Sequence, residues 1–235
     1  MRDSIKRIIL DLKDIDKDPI PNIYYFPDED NIMKGKALII GPENTPYQYG
    51  YYMFDFEFTK NYPYQPPRVT FLTYDGKTRF NPNLYKSGKV CLSILNTWSG
   101  EQWSSCQSLR SVLITLQITL NETPLLNEPG FSNKKHSEEI KLYNTIIHYK
   151  NLYHCIFYYL DNPSEIQMGK FNNEVYEIMI EQFSKNKDKI FEIINKNMNV
   201  PVESLYFSFF RIEAFINYPK LMEMYEKNKN KIETK

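Results

Sequence analysis

The sequence is poor in the residues that build metal sites and disulfide frameworks. Its 235 residues include three cysteines and three histidines, and no cluster of them has the spacing of metal ligands. Cys91, Cys106 and Cys155 contain no CxxC pair, and an odd, sparse cysteine count is typical of a reducing compartment. We therefore expect no metal, no cofactor and a cytoplasmic location, with the nucleus as the alternative.

Long apolar runs and an excess of one charge are also missing. No run approaches the roughly 18 apolar residues of a membrane span, and the N-terminal segment contains three aspartates by position 14, unlike a secretory signal. The 29 basic and 29 acidic side chains cancel, so neither nucleic acid nor a membrane is expected as a partner. A hydrophobic content of 42% is ample for a packed core.

The first third of the chain shows one helical pattern and then several extended ones. Aliphatic residues at spacings of three and four predict an amphipathic helix over residues 2–16, with Asp11 among the charged residues on the solvent side. Four extended runs separated by turn residues follow, at 23–26, 33–40, 51–58 and 69–72. Because no helix separates them, they predict an antiparallel meander and an α+β domain.

Helical patterns dominate the rest of the chain. Residues 73–106 have little regular pattern, and apolar stripes then predict helices over 108–120, 137–160 and 171–195. Pro201 and Pro219 bracket a further candidate helix. We divide the chain into a core of residues 1–131 and a helical C-terminal extension of residues 132–235, which packs on the core or continues it.

One cysteine in the irregular segment is a candidate for chemistry. Cys91 lies eight residues after the turn Asn81-Pro82-Asn83. A free cysteine is commonly a small buried hydrophobe, so catalysis needs further groups, and the Asn83 amide is a possible donor to a developing oxyanion. Asparagine also suits a turn on structural grounds alone, so both interpretations of Asn83 stay open.

This segment resembles the active-site signature of the ubiquitin-conjugating enzymes. That family places His-Pro-Asn eight residues before a catalytic cysteine, which is followed by leucine and, later, by tryptophan. The chain has Asn81-Pro82-Asn83, Cys91-Leu92 and Trp98 or Trp103. The first helix, the turn at 41–50, the Pro-rich loop at 62–67 and the helix after the cysteine also match in order. The resemblance covers about residues 2–131 and implies the family's UBC fold, in which an active-site loop follows the meander.

Two departures separate the chain from the shortest members of that family. Asn81 stands where histidine is usual, and residues 97–105 form a longer segment. Together with the run at 127–131 and the helical tail, they resemble the extended Z-type members, which are charged with ubiquitin or a ubiquitin-like protein.

The resemblance implies two acyl transfers. The Cys91 thiolate takes the modifier from an activating enzyme, and a substrate lysine or a ligase then takes it from Cys91. Asn83 stabilises the oxyanion or braces the loop, while Asn81 and Pro82 support the turn. This interpretation requires that the Cys91 sulfur be open to solvent and close to the Asn83 carboxamide.

Two further charged positions have alternatives. In this family an acidic residue after the post-cysteine helix orients the attacking amine, and Glu128 matches that position, with Glu122 as the rival. Lys89 either favours the thiolate of the nearby cysteine or is simply a solvated charge.

The binding surfaces follow from the same resemblance. Lys6 and Arg7 match the basic face that meets the activating enzyme. Arg7, Tyr64, Ser104 and Ser105 match positions of ligase docking, although Ser105 replaces the usual proline. The expected partners are ubiquitin or a ubiquitin-like protein, an activating enzyme, a ligase and substrate lysines.

Two other functions are compatible with parts of the pattern. A noncatalytic ubiquitin-binding variant of the same fold would act as a scaffold, but such variants lack the active cysteine. A papain-like hydrolase would pair Cys91 with His136, His148 or His154, although no oxyanion glutamine precedes the cysteine.

Overall fold

The computed structural model of the chain describes residues 2–233 and has an α+β architecture. Helix α1 (Arg2–Lys17) precedes the strands β1 (Ile23–Pro27), β2 (Lys34–Ile40), β3 (Tyr51–Glu57) and β4 (Arg68–Phe71). The sheet has the order β1-β2-β3-β4 and every neighbouring pair is antiparallel. The predicted meander and the α+β class are therefore confirmed.

Helices follow the sheet: α2 (Leu109–Thr119), α3 (Ser137–Lys150), α4 (Tyr159–Asp161), α5 (Asn172–Lys196) and α6 (Tyr218–Glu233). Helix α2 begins at a capping box, because the Ser108 side chain accepts from the Ser111 amide and the Ser111 hydroxyl accepts from the Ser108 amide. Within residues 2–233, none of the helices has the length and apolar composition that crossing a lipid bilayer requires.

A π-helical stretch interrupts the helix that we predict over 137–160. It spans Asn151–Tyr158, between α3 and α4. Its first residue, Asn151, is fully buried, donates to the main-chain oxygen of Gln48 (2.9 Å) and accepts from the Tyr52 hydroxyl (2.6 Å). A Cβ on Gly50 would lie 1.9 Å from Asn151 Oδ1, so this close approach requires glycine.

The prediction of a helix between Pro201 and Pro219 is wrong. These residues form an antiparallel hairpin of β5 (Glu203–Phe207) and β6 (Ile212–Ile216), and α6 begins beside the second proline. Burial alternates strictly along β6, which is the period of a strand and not of a helix. The bracketing prolines mark the ends of the segment without specifying its structure.

The solvent-side placement that we predict for Asp11 is also wrong. Asp11 is 5% exposed and accepts hydrogen bonds from Arg7 Nε (2.9 Å), from the Tyr62 hydroxyl and from the Leu109 amide (3.3 Å). Leu109 is the first residue of α2, so the carboxylate also lies at the positive end of a helix dipole. These partners compensate the burial of the charge and connect α1 to α2.

The C-terminal region packs directly on the sheet. One contiguous hydrophobic core contains residues of both predicted parts of the chain. The Tyr51 hydroxyl on β3 donates to the main-chain oxygen of Met179 on α5 (2.8 Å). The boundary at residue 131 stays a prediction, since the packing is continuous across it.

Candidate active site

Two hydrogen bonds join the Asn81-Pro82-Asn83 turn to Cys91. The Cys91 amide donates to the main-chain oxygen of Asn83 (2.9 Å), and Asn83 Nδ2 donates to the main-chain oxygen of Cys91 (2.7 Å). Between them, Leu84 pairs with Val90 in an antiparallel bridge. The seven residues between Asn83 and Cys91 are thus closed into one short, cross-bonded loop.

The side chain of Asn81 anchors this turn to the rest of the fold. It is fully buried; Nδ2 donates to the Tyr47 hydroxyl (2.9 Å) and to the main-chain oxygen of Thr119 (2.9 Å), and Oδ1 accepts from the Asn83 amide (2.9 Å). Burial raises the pKa of Tyr47 well above its usual range, so its hydroxyl stays protonated and donates to Phe80 O (2.8 Å). The Asn81 carboxamide therefore makes the contacts that are needed to support the turn, as the sequence predicts.

The Asn83 carboxamide braces Cys91 in this conformation. Asn83 is 9% exposed, and a side-chain amide has two N–H groups, of which one is used on the main-chain oxygen of Cys91. Among residues 2–233, Asn83 Oδ1 is buried and meets no hydrogen-bond donor. The arrangement leaves one N–H available for a second acceptor beside the cysteine.

The expectation that the Cys91 sulfur is open to solvent is wrong for this structure. Cys91 is 1% exposed, although in the described part of the chain it lies outside the contiguous hydrophobic core that contains Cys155. The chain after Cys91 folds back on both of its neighbours, since Thr97 Oγ1 donates to Val90 O (2.9 Å) and accepts from the Leu92 amide (2.9 Å). Attack on an external thioester therefore requires the cover over the sulfur to move.

Glu128 lies beside the turn through an ion pair. Its Oε2 is 3.6 Å from Arg79 Nη2, and both side chains are largely buried. The same nitrogen of Arg79 donates to the main-chain oxygen of Pro82 (2.5 Å). The rival Glu122 is exposed, and its main-chain oxygen accepts from Asn144 Nδ2 (2.8 Å). Of the two candidates, the structure brings Glu128 to the active-site turn.

The predicted docking residues lie on one surface beside α1. Trp103 Nε1 donates to Pro63 O (2.6 Å), which places Tyr64, 78% exposed, next to the segment of Ser104 and Ser105. Arg7 Nη1 donates to the main-chain oxygen of Ser105 (2.9 Å). Arg7 therefore connects α1 to this segment, whereas the neighbouring Lys6 is exposed to solvent.

The histidines do not form a hydrolase dyad. Burial lowers the pKa of His148 and of His154 to about 4, so both are neutral at pH 7, and His136 Nδ1 accepts from the Ser132 amide (3.1 Å). In the described range 2–233, no histidine is hydrogen-bonded to Cys91, and no group of three or more metal-binding side chains is placed to hold an ion. The geometry gives no support to the papain-like alternative.

Four residues of this site have no role in the sequence analysis: Tyr47, Arg79, Thr97 and Tyr143. The Tyr143 hydroxyl donates to the main-chain oxygen of Arg79 (2.8 Å). Tyr47 and Tyr143 lie far along the chain from the turn, so no local signal indicates them. Arg79 and Thr97 lie within the motif region. The position of Arg79, two residues before the turn, is a sequence signal for its role, whereas nothing in the sequence around Thr97 indicates one.

The three cysteines should react with iodoacetamide in the order Cys106, Cys91, Cys155. Cys106 is exposed, Cys91 is covered, and burial raises the pKa of the Cys155 thiol well above its usual range, which suppresses its thiolate. Peptide mapping by mass spectrometry over time at pH 8 checks the order. Modification of Cys91 as fast as that of Cys106 would mean that the sulfur is open in solution.

Comparison with known proteins places the chain in a family. The family model described as "Ubiquitin-conjugating enzyme" matches residues 7–154. "Ubiquitin-conjugating enzyme E2 Z" of Xenopus tropicalis is 46% identical over 149 residues, which cover 63% of this chain and 48% of the relative. The Homo sapiens protein of the same name is 46% identical over 147 residues, covering 62% and 42%. "Probable ubiquitin-conjugating enzyme protein 17" of Caenorhabditis elegans is 40% identical over 179 residues, covering 70% and 24%.

The chain spans less than half the length of these relatives. The residues that the family model matches nevertheless include α1 from residue 7 onward, the whole four-stranded sheet, the Asn-Pro-Asn turn, Cys91 and Glu128. The family match and the fold agree with the resemblance found in the sequence. The chain belongs to the ubiquitin-conjugating enzyme family.

Proposed function

We propose that the chain accepts ubiquitin or a ubiquitin-like protein from an activating enzyme as a Cys91 thioester and passes it to a substrate lysine or to a ligase. The observation that supports this most directly is the reciprocal bonding of Asn83 and Cys91, which places a carboxamide beside the cysteine at the family's spacing. The noncatalytic scaffold is not favoured, because it has no use for a cysteine in this position.

The first transfer is a thioester exchange. With its cover displaced, the Cys91 thiolate attacks the carbonyl carbon of the modifier's C-terminal thioester, and the activating enzyme's thiolate leaves as the new C–S bond replaces the old one. Lys89 Nζ lies over the Tyr85 ring, 5.7 Å from its centroid, a contact that suits a surface cation better than a partner of the thiolate.

The second transfer moves the acyl group from sulfur to nitrogen. A neutral lysine amine attacks the Cys91 thioester, an oxyanion forms, and the Cys91 thiolate leaves while the nitrogen loses its proton. Asn83 stabilises the oxyanion with its second N–H, while its first N–H stays hydrogen-bonded to the main-chain oxygen of Cys91. Glu128 orients the amine from beside the turn, where Arg79 holds its carboxylate.

The same proposal assigns the docking surface beside α1. Lys6 meets the activating enzyme, and Tyr64, Ser104 and Ser105 form the exposed part of a ligase surface that Arg7 supports from below. Because the two partners would use adjoining residues, they bind in turn. A cytoplasmic or nuclear location belongs to the same proposal.

A charging assay tests this function. Incubation of the chain with an activating enzyme, ubiquitin or a ubiquitin-like protein, and ATP should give an adduct larger by one modifier, which a thiol reductant removes. Several pairs of activating enzyme and modifier have to be compared, because the sequence does not specify the pair. Binding of ubiquitin without an adduct for any pair would overturn the proposal in favour of the scaffold.

A further inference from the structure

A basic, aromatic cleft of about 340 Å³ lies where the tip of the β5–β6 hairpin meets the loop before Cys91. Its lining combines cations and rings from both parts of the chain: Arg79, Tyr85, Lys86, Phe209, Phe210 and Arg211. None of the described residues that line it is acidic. The cleft therefore has the charge to receive an anionic side chain and the rings to receive its aliphatic part.

The hairpin tip is held on the loop by specific contacts. Lys86 Nζ donates to the main-chain oxygens of Phe210 (3.1 Å) and Arg211 (3.3 Å). The Phe209 ring packs edge-on against Phe131, with centroids 4.9 Å apart. The Arg79 guanidinium lies over two rings, 3.8 Å from the Tyr85 centroid and 4.4 Å from the Phe210 centroid. The hairpin thus forms one wall of the cleft and the active-site loop forms the other.

Arg211 is the cation of the cleft that is open to a ligand. Its residue is exposed, and among residues 2–233 its guanidinium makes no hydrogen bond or ion pair. Its φ of 52° lies in the left-handed region, where glycine or asparagine would fit with less strain. The turn itself, closed by the Arg211 amide on Ser208 O (3.1 Å), does not require an arginine at this position.

Arg79 connects the cleft to the active-site turn and to Glu128. Arg79, which lines the cleft, donates to the main-chain oxygen of Pro82 in the active-site turn and pairs with Glu128. In the proposed function Glu128 orients the acceptor lysine. A group bound in the cleft therefore lies beside Arg79, the partner of the carboxylate that the proposed function assigns to the acceptor lysine.

We propose that this cleft binds an aspartate or glutamate close to the acceptor lysine, so that the chain prefers lysines in acidic surroundings. The inference rests on the proposed function and names the chemistry of its substrate. Arg211 forms the ion pair with the acidic side chain, and the rings of Phe209 and Tyr85 contact its methylene groups. A basic residue at the same place is repelled by Arg211 and Lys86, since the charge of Arg79 is balanced by Glu128.

The test is single-turnover discharge of the charged chain onto two peptides, one with glutamates flanking the acceptor lysine and one with glutamines. An exposed ion pair changes affinity by about two- to fivefold, so the glutamate peptide should react faster by that factor below its KM. Arg211→Lys should keep the preference. Arg211→Asn, which suits the positive φ, should remove it, and Arg211→Glu should reverse it.

The matched control is Lys185→Glu on α5, an exposed charge reversal outside the cleft, which should leave the preference unchanged. Equal rates for both peptides with the unsubstituted chain would overturn the inference, and so would a preference that survives Arg211→Glu. Slower charging by Arg211→Glu would also overturn it, since the cleft would then serve the modifier. Discharge onto free lysine separates the two proposals: if it proceeds, the proposed function holds even where the peptide preference is absent.

Discussion

Cys91→Ala should abolish the adduct with ubiquitin or a ubiquitin-like protein, and Cys91→Ser should convert it into an oxyester that survives a thiol reductant. Alanine leaves no nucleophile at position 91, whereas the serine hydroxyl forms an ester with a poorer leaving group than a thiolate. The measurement is a gel shift after charging, run with and without reductant. The expected loss in the alanine variant is complete.

Cys106→Ser is the matched control for these variants. Cys106 is an exposed thiol on the same chain, so it tests whether the adduct depends on the residue or only on an accessible sulfur. We expect it to charge like the unsubstituted chain. A reducible adduct on the Cys91→Ala variant would contradict the assignment of Cys91. Thermal unfolding of each variant checks that the loss is not one of folding.

Local signals in the sequence were sufficient for the elements that position the site. The strands β1 to β4 have turn residues between them and run antiparallel as predicted, because alternation and turn chemistry are properties of short segments. The same holds for α2, whose cap at Ser108 is visible in the sequence. The alternation along Ile212–Ile216 indicates a strand, whereas the bracketing prolines indicate only where the segment begins and ends.

Contacts between distant segments could not be predicted in this way. The two acceptors of Asn81 Nδ2 are 34 and 38 residues away, and the donors to Asp11 include Tyr62 and Leu109. Each is a buried polar group whose burial depends on partners that tertiary packing supplies. The burial of Cys91 is of the same kind: position 91 has the spacing of a nucleophile, while its exposure depends on tertiary packing around the loop, in which Thr97 bonds to both neighbours of the cysteine.

Asn83→Ala should slow discharge of the Cys91 thioester onto free lysine by about 10²–10³-fold, the usual effect of losing one oxyanion donor. The substitution removes both N–H groups, the one on the Cys91 carbonyl and the one proposed to face the oxyanion. The substitution also leaves the buried main-chain oxygen of Cys91 without this donor, which should lower the free energy of unfolding by about 1–3 kcal/mol. Single-turnover discharge and denaturant unfolding measure the two effects separately.

The ratio of these two effects decides between the interpretations of Asn83. Asn83→Asp has the same shape but no N–H, so it should lose the rate as completely as alanine does. Asn133→Ala, at an exposed position, is the control and should change neither quantity. If Asn83→Ala destabilises the fold but slows discharge by no more than about threefold, Asn83 is only a brace, because the loss of an oxyanion donor slows a reaction by about 10²-fold or more. A large rate loss with little change in stability would instead assign the second N–H of Asn83 to the oxyanion. The N–H that bonds to the Cys91 carbonyl would then contribute less than the one that faces the thioester.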